Sequence, residues 1–192
     1  MFMRLIRPAA SLLALLTLLL GIVYPLVITG AARLVFPRQA EGSLVRDKDG
    51  MLIGSTLIGQ SFSAPKYFRG RPSATAPQPY DGLASSGSNF GPLNPALLYE
   101  VKANAKALRD ADPADREPIP VGLVTSSASG LDPEISPADA RYQAARIAHA
   151  RNLPIFAVER LIDAHRRNRL LGLFGEPRIN VLELNLALDR PH

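Results

Sequence analysis

The sequence predicts a single N-terminal transmembrane helix followed by a mixed α/β (α+β) globular domain built on a small sheet. Three observations carry this. No charged residue lies between Arg7 and Arg33. Beyond that segment, helix-start signals at Asn94 and Ser136 alternate with short apolar runs of strand character. Between the two kinds of pattern lies a proline-rich stretch without periodicity. The chain therefore divides into a short tail (residues 1–8), a span (9–32) and one domain (33–192) that contains an irregular region, 63–95.

The 25 uncharged positions from 8 to 32 extend about 37 Å as a helix, more than the ~30 Å hydrocarbon core of a bilayer. Backbone groups in lipid must bond within their own segment, so a lone span has to be helical. A cleaved signal peptide is the main rival. Its apolar region is usually about 7–15 residues, whereas here the leucine-rich centre, Leu12–Leu20, continues through Ile22, Val23, Leu26, Val27 and Ile28. A weak cleavage-like pattern stands at Thr29-Gly30-Ala31, but the length favours an uncleaved anchor. Pro25 is expected to kink the helix or mark its exit from the hydrocarbon. Arg4 and Arg7 precede the span; Arg33, Arg38, Arg46 and Lys48 follow it, so positive charge alone does not orient it. A short N-terminal tail can stay inside while a long domain is translocated largely regardless of charge, which favours the domain on the outer side.

The chain has 22 basic and 17 acidic residues. Without the three arginines at the span, 19 basic face 17 acidic residues, and no basic cluster is interleaved with aromatics, so nucleic acid is not an expected partner. There is no cysteine, which removes disulfides, thiolate metal sites and thiol catalysis together.

Ser43 to Thr56 reads as a hairpin, with Asp49-Gly50 supplying the positive φ of a tight turn. From Ser63 to Pro95, six prolines and intervening glycines disfavour regular structure. Phe62, Tyr67, Phe68, Tyr80 and Phe90 are placed to pin this region down. A helix is expected from Pro95 to about Arg109, capped by Asn94. Ile119–Val124 reads as a buried strand. The clearest helix start is Ser136-Pro137 with Asp139 as a capping box, running to about Arg151 with Ala138, Tyr142, Ala145 and Ala148 on the packed face. A further helix is expected from Ile155 to Arg169, with Val158, Leu161, Ile162 and His165 on one side. Ile179–Leu188 alternates and reads as a strand: Leu182, Leu184, Leu186 and Leu188 face one way, Glu183 and Asn185 the other.

Catalytic signatures are sparse. Phosphate-binding loops of the G-x-x-x-x-G-K-[ST] and G-x-G-x-x-G types, H-E-x-x-H and G-x-S-x-G are absent. His149, His165 and His192 are scattered, so no metal site is advertised. Ser63-Ala64-Pro65-Lys66 matches the serine–lysine pattern of penicillin-binding enzymes, but Pro65 disfavours the helical turn that would bring hydroxyl and amine together. That leaves a membrane-anchored serine–lysine hydrolase, or an envelope binding module using the proline-rich region, as alternative functions. The loop Thr125–Asp132, rich in hydroxyls and exposed amides, suits either an anion such as a nucleotide phosphate or a plain flexible connection. Gln143 suits either a hydrogen bond to nucleotide or a surface position.

Four blocks then carry a resemblance. They are Gly54-Ser55-Thr56-Leu57-Ile58-Gly59-Gln60 with Phe62 and Tyr67–Ala74; Ser86-Gly87-Ser88-Asn89 with Asn94-Pro95; Ser127–Ser136 with Ala140, Gln143 and Arg146; and Leu171–Asp189. In this order, over nearly the whole chain, they resemble the C subunit of the bacterial Kdp potassium-transporting ATPase. The third block departs at Ala128, where glycine is the more usual residue. The resemblance implies a non-enzymatic accessory subunit of a high-affinity ATP-driven potassium importer in the bacterial inner membrane. Its implied partners are a channel-like potassium-binding subunit and a P-type ATPase subunit, with membrane lipid around the span. It also implies a role as catalytic chaperone that raises the pump subunit's affinity for ATP. Gln143 matches the glutamine suggested to meet ATP, and Ser129-Gly130 lies in a loop likened to a nucleotide signature. No metal site is implied.

Overall fold

The computed structural model describes residues 2–47 and 49–190; Lys48 and His192, which entered the charge and histidine readings above, lie outside them. The chain divides into two compact units, one ending at Ile53 and the other beginning at Gly54.

In the first unit, helix α1 (Phe2–Leu18) runs through one π-helical turn (Leu19–Val23) into α2 (Tyr24–Val35). Arg4–Val35, 32 residues, is the one helix among the described residues long and apolar enough to cross a membrane. The wide turn has a local cause. Pro25 offers no N–H to the carbonyl of Gly21 and its ring crowds that oxygen; widening the turn just before it relieves the crowding without breaking the rod. The short helix α3 (Pro37–Ala40) and the hairpin strands β1 (Leu44–Arg46) and β2 (Leu52–Ser55) follow. Gly50 adopts the expected positive φ, +79°. The turn is organised by Asp47 rather than Asp49: its Oδ1 accepts from the amides of Asp49 and Met51 at 2.9 and 2.8 Å.

In the second unit, residues 63–94 contain no helix or strand. Helix α4 (Pro95–Ala111) starts where Asn94 accepts from the Ala96 amide. Strand β3 (Glu134–Ile135) leads into α5 (Pro137–Arg151), whose capping box is complete: Ser136 accepts from the Asp139 amide and Asp139 from the Ser136 amide. Asn152, in the left-handed conformation at φ +53°, ends α5 and lets α6 (Ile155–Ala164) fold back against it. Strand β4 (Ile179–Asn180) pairs antiparallel with β3, placing Ile135 opposite Ile179, and passes directly into α7 (Val181–Leu188). Ile135, Ile147, Val158, Ile162, Ile179 and Leu184 form the centre of the core, joined by Phe68 from the irregular region.

Four expectations are corrected. Ile179–Leu188 is not a strand beyond Asn180. Asn180 caps a helix by accepting from the Glu183 amide at 3.0 Å, and α7 is buried nearly all round, so alternation along it carries no information. Its outward positions are Glu183 and Leu186, three apart as on a helix, and Asn185 faces inward. Ile119–Val124 is not a strand: Pro120 interrupts it, and Val121–Leu123 form one 3₁₀ turn. The packed face of α5 is Ala140, Gln143, Ala144, Ile147 and Ala148; Ala138 and Ala145 are exposed. Ile147, the only large aliphatic residue of the helix, sets that face. Finally α6 stops at Ala164, where the apolar stripe gives way to Arg166-Arg167 and Arg167 instead pairs with Arg178 in an antiparallel bridge.

A polar lock closes this unit. Arg151 donates to the Lys66 carbonyl, the Leu188 carbonyl and Asp189 at 2.8, 2.8 and 2.7 Å, while the Tyr67 hydroxyl donates to Asp189 at 2.8 Å. Burial alone would raise the Asp189 carboxyl, but the Arg151 and Tyr67 hydrogen bonds and the charge of Arg151 hold it below 3.8. A depressed folded value contributes stability that is complete above the ordinary carboxylate value and is lost as pH falls through the folded one. Asp189→Asn should therefore cost stability at neutral pH, and its difference from the native chain should shrink below about pH 4; urea melts at a series of pH values check this. Leu184 is fully buried, so Leu184→Asp should destabilise by about 3 kcal/mol or more. A loss under about 1 kcal/mol on chemical denaturation would contradict its place in the core.

Candidate functional site

Within the irregular region Phe68 enters the core between half-buried neighbours, and peptide groups drawn inward without a neighbouring strand need other partners. Two side-chain amides supply them. The Asn185 carboxamide on α7 accepts from the Phe68 amide at 2.8 Å and donates to the Phe68 carbonyl at 2.9 Å. The Gln143 carboxamide on α5 accepts from the Arg69 amide at 2.8 Å and donates to the Arg69 carbonyl at 3.1 Å. Each amide thus takes the place of a partner strand for one residue. Gln143 also donates to the Asp139 carbonyl, and its oxygen accepts from Arg146 at 2.9 Å. Arg146 reaches on to the carbonyls of Pro65 and Tyr67. Burial, then the nearby Arg69 guanidinium, lower the Arg146 guanidinium from its ordinary value. At neutral pH it stays charged, because an arginine starts far above that range.

A few residues along, the same region is joined to the Thr125–Asp132 loop. The Ser73 hydroxyl donates to the Gly130 carbonyl at 2.7 Å and accepts from the Tyr80 amide at 2.9 Å. The Ser127 amide donates to the Pro72 carbonyl, the Ser85 hydroxyl to the Ser129 carbonyl, and the Gly59 amide to the Leu131 carbonyl. Gly130 sits at φ +67°, and a Cβ there would lie 2.6 Å from the Ser86 carbonyl and from Thr75, so glycine is required twice over. Arg71 pairs with Asp132 at 3.2 Å and donates to the Ser126 carbonyl. Tyr80 donates to the Arg71 carbonyl. Burial, then the Asp132 charge, push the Tyr80 phenol up to about 12 against the lowering effect of Arg71.

The residues singled out in the sequence are therefore distributed as follows. Gln143 is 2% exposed and all its hydrogen-bonding groups face the chain itself. Gly130 is buried and Ser129 is exposed, its hydroxyl accepting from the Leu131 amide. The amides of Thr125, Ser127, Gly130 and Leu131 are occupied within the protein. Gln143 and Gly130 are linked through one stretch, Arg69–Ser73, rather than through a shared ligand cleft. Beside that stretch lies a cleft of about 280 Å³ lined by Arg69, Arg71, Tyr80 and Asn104 among others. Ser63 and Lys66 lie outside any helix, and Lys66 sits over the Tyr67 ring. No group of three or more potential metal ligands occurs among the described residues. Asn185, Arg69, Arg71 and Ser73 were not singled out as site residues in the sequence. One signal was available: a lone Asn within an otherwise leucine-rich run, where a buried polar group implies a partner.

Residues 6–190 match the family model described as "K+-transporting ATPase, c chain". The chain is 59% identical to a potassium-transporting ATPase KdpC subunit of Herminiimonas arsenicoxydans over 187 residues, covering 97% of this chain and 98% of the relative. It is 60% identical to the corresponding subunit of Variovorax paradoxus (96% and 95% covered) and 57% identical to that of Dechloromonas aromatica (96% and 96%). With the four blocks, the single apolar helix and the small α+β unit in agreement, this chain belongs to the family of K+-transporting ATPase c chains, the KdpC subunits.

Proposed function

We propose that this chain works as a non-catalytic subunit that stabilises an ATP-driven potassium importer and raises the ATP affinity of its hydrolysing subunit. Its partners in this role are the channel-like potassium-binding subunit and the P-type ATPase subunit, and its second unit lies on the outer side of the inner membrane. The observation that carries the proposal is the near full-length family match, taken together with the buried amide of Gln143. A subunit that acts through shape needs a rigid surface, and the two amide clamps make an irregular region rigid.

On the outer side, the domain meets no cytoplasmic nucleotide. It changes ATP affinity only by binding one conformation of the pump better than another, and the coupling is then reciprocal. Gln143, Ser129 and Gly130 enter as the residues that fix the surface carrying this preference, with ATP held by the pump subunit.

Gln143→Ala would leave the Arg69 amide and carbonyl without partners, costing about 2–3 kcal/mol in the domain. If Gln143 acts through the segment it holds, thermal stability and the complex's apparent ATP affinity should fall together. A drop in ATP affinity with an unchanged melting midpoint would instead indicate direct nucleotide contact and defeat the indirect mechanism. The topology is tested in this cysteine-free chain by Ser129→Cys, since Ser129 is exposed. A membrane-impermeant maleimide should label it from outside intact spheroplasts; labelling only after permeabilisation would put the domain in the cytoplasm. Potassium-stimulated ATPase activity is expected only when the sister subunits are present.

A further inference from the structure

Between α6 and β4 the chain forms a small finger. Arg167 and Arg178 bridge antiparallel, with amide-to-carbonyl distances of 2.8 and 3.0 Å, and Leu170 and Phe174 do the same at 2.9 and 3.0 Å. The turn beyond them is Leu171-Gly172-Leu173. Four large apolar side chains stand out from this tip: Leu170, Leu171, Leu173 and Phe174 are 68, 82, 76 and 64% exposed. Leu171 also holds φ +54°, a left-handed conformation that disfavours a leucine. A side chain that strains the backbone while touching water does nothing for the domain, so its use lies outside it.

The base of the finger indicates what covers the tip. Arg169 grips both carboxylate oxygens of Glu176 at 2.9 and 2.7 Å, Arg167 pairs with Glu183 at 2.7 Å, and Arg178 pairs with Glu134 at 2.9 Å. A loop that seeks anionic lipid presents several free cations and interfacial Trp or Tyr; here three of the four arginines in residues 166–178 are paired with glutamates, Arg166 being the exception, and the segment holds neither Trp nor Tyr. The tip offers on the order of 500 Å² of apolar surface, below the roughly 800 Å² per partner of a stand-alone interface. Self-association through it alone would be weak. The same area suffices when another element already holds the partners together, because tethering raises the local concentration. The apolar helix Arg4–Val35 is such an element. We propose that the finger seats its apolar tip in an uncharged, apolar pocket of a sister subunit of the pump, as a docking anchor. This rests on the proposed assembly role and names its contact.

The test uses the full chain, which has no cysteine of its own. Leu173→Cys is labelled with a small maleimide, first in the chain alone in phosphatidylethanolamine–phosphatidylglycerol nanodiscs, then in the purified complex. Fast labelling alone, as fast as Leu83→Cys at a 99% exposed reference site, with at least tenfold slowing in the complex, is the expected result. Labelling that is slow already in nanodiscs would assign the tip to lipid. Slowing of the chain alone that grows with its concentration would assign it to a second copy. Equal, fast rates alone and in the complex would leave it uncovered. Any of the three overturns the proposal. In parallel, Leu173→Asp with Phe174→Asp should reduce recovery of sister subunits at least tenfold without moving the melting midpoint of the domain. If the native chain recovers no sister subunit, the assembly role itself fails; if native and variant chains recover them equally, only the docking anchor fails.

Discussion

The second unit depends on the pairing of two side-chain amides with the backbone of Phe68 and Arg69. About thirty residues without helix or strand are an unusual burden for so small a domain, because their peptide groups must find partners wherever the chain turns inward. Phe68 is fully buried in the core, and a phenylalanine can reach that depth only if its own amide and carbonyl are matched there. Asn185 matches them, and Gln143 does the same for the next residue. Losing either amide would leave a donor and an acceptor unsatisfied in a water-poor place, which is the costly direction of hydrogen-bond energetics.

The remaining polar contacts extend that arrangement. Arg146 and Arg151 fasten the residues just before Phe68, while Ser73, Tyr80 and Gly130 fasten those just after. The Thr125–Asp132 loop, whose composition suits an anion-binding turn, instead donates several of its amides to the chain. Its hydroxyls and glycine serve close approach of two backbones, with Gly130 packed against the Ser86 carbonyl. The same residue types that cradle a phosphate also let two irregular segments interlock, because both tasks need small side chains and available N–H groups.

Much of this was legible beforehand. The span, the caps at Asn94 and Ser136, the hairpin turn and the irregularity of 63–94 all follow from local chemistry, where one or two residues decide. What escaped was set by burial on several sides. Alternation in Val181–Leu188 mimics a strand because a helix enclosed almost entirely shows no exposed stripe wide enough to betray its period. The Asn180 cap with Glu183 three residues on was the local signal that should have prevailed. Gln143 looked like a surface residue because the face of α5 was drawn from Tyr142, whereas Ile147 governs it. Family blocks identified the chain more securely than any pattern of its own, and they did so without revealing that Gln143 is buried.

The clamp also sets an order of events in the life of the chain. Phe68 and its partner Asn185 are separated by 117 positions, and Arg69 and Gln143 by 74. A ribosome adding residues at roughly 5–20 per second needs several seconds to bridge the longer gap. Until α5 is made the proline-rich region has neither clamp, and until α7 is made the Phe68 amide and carbonyl still lack theirs. A nascent chain halted before α7 would expose the Phe68 pocket and its unpaired peptide groups, the features by which quality-control proteases distinguish unfinished chains from finished ones. Closure of the domain thereby reports that translation has reached α7.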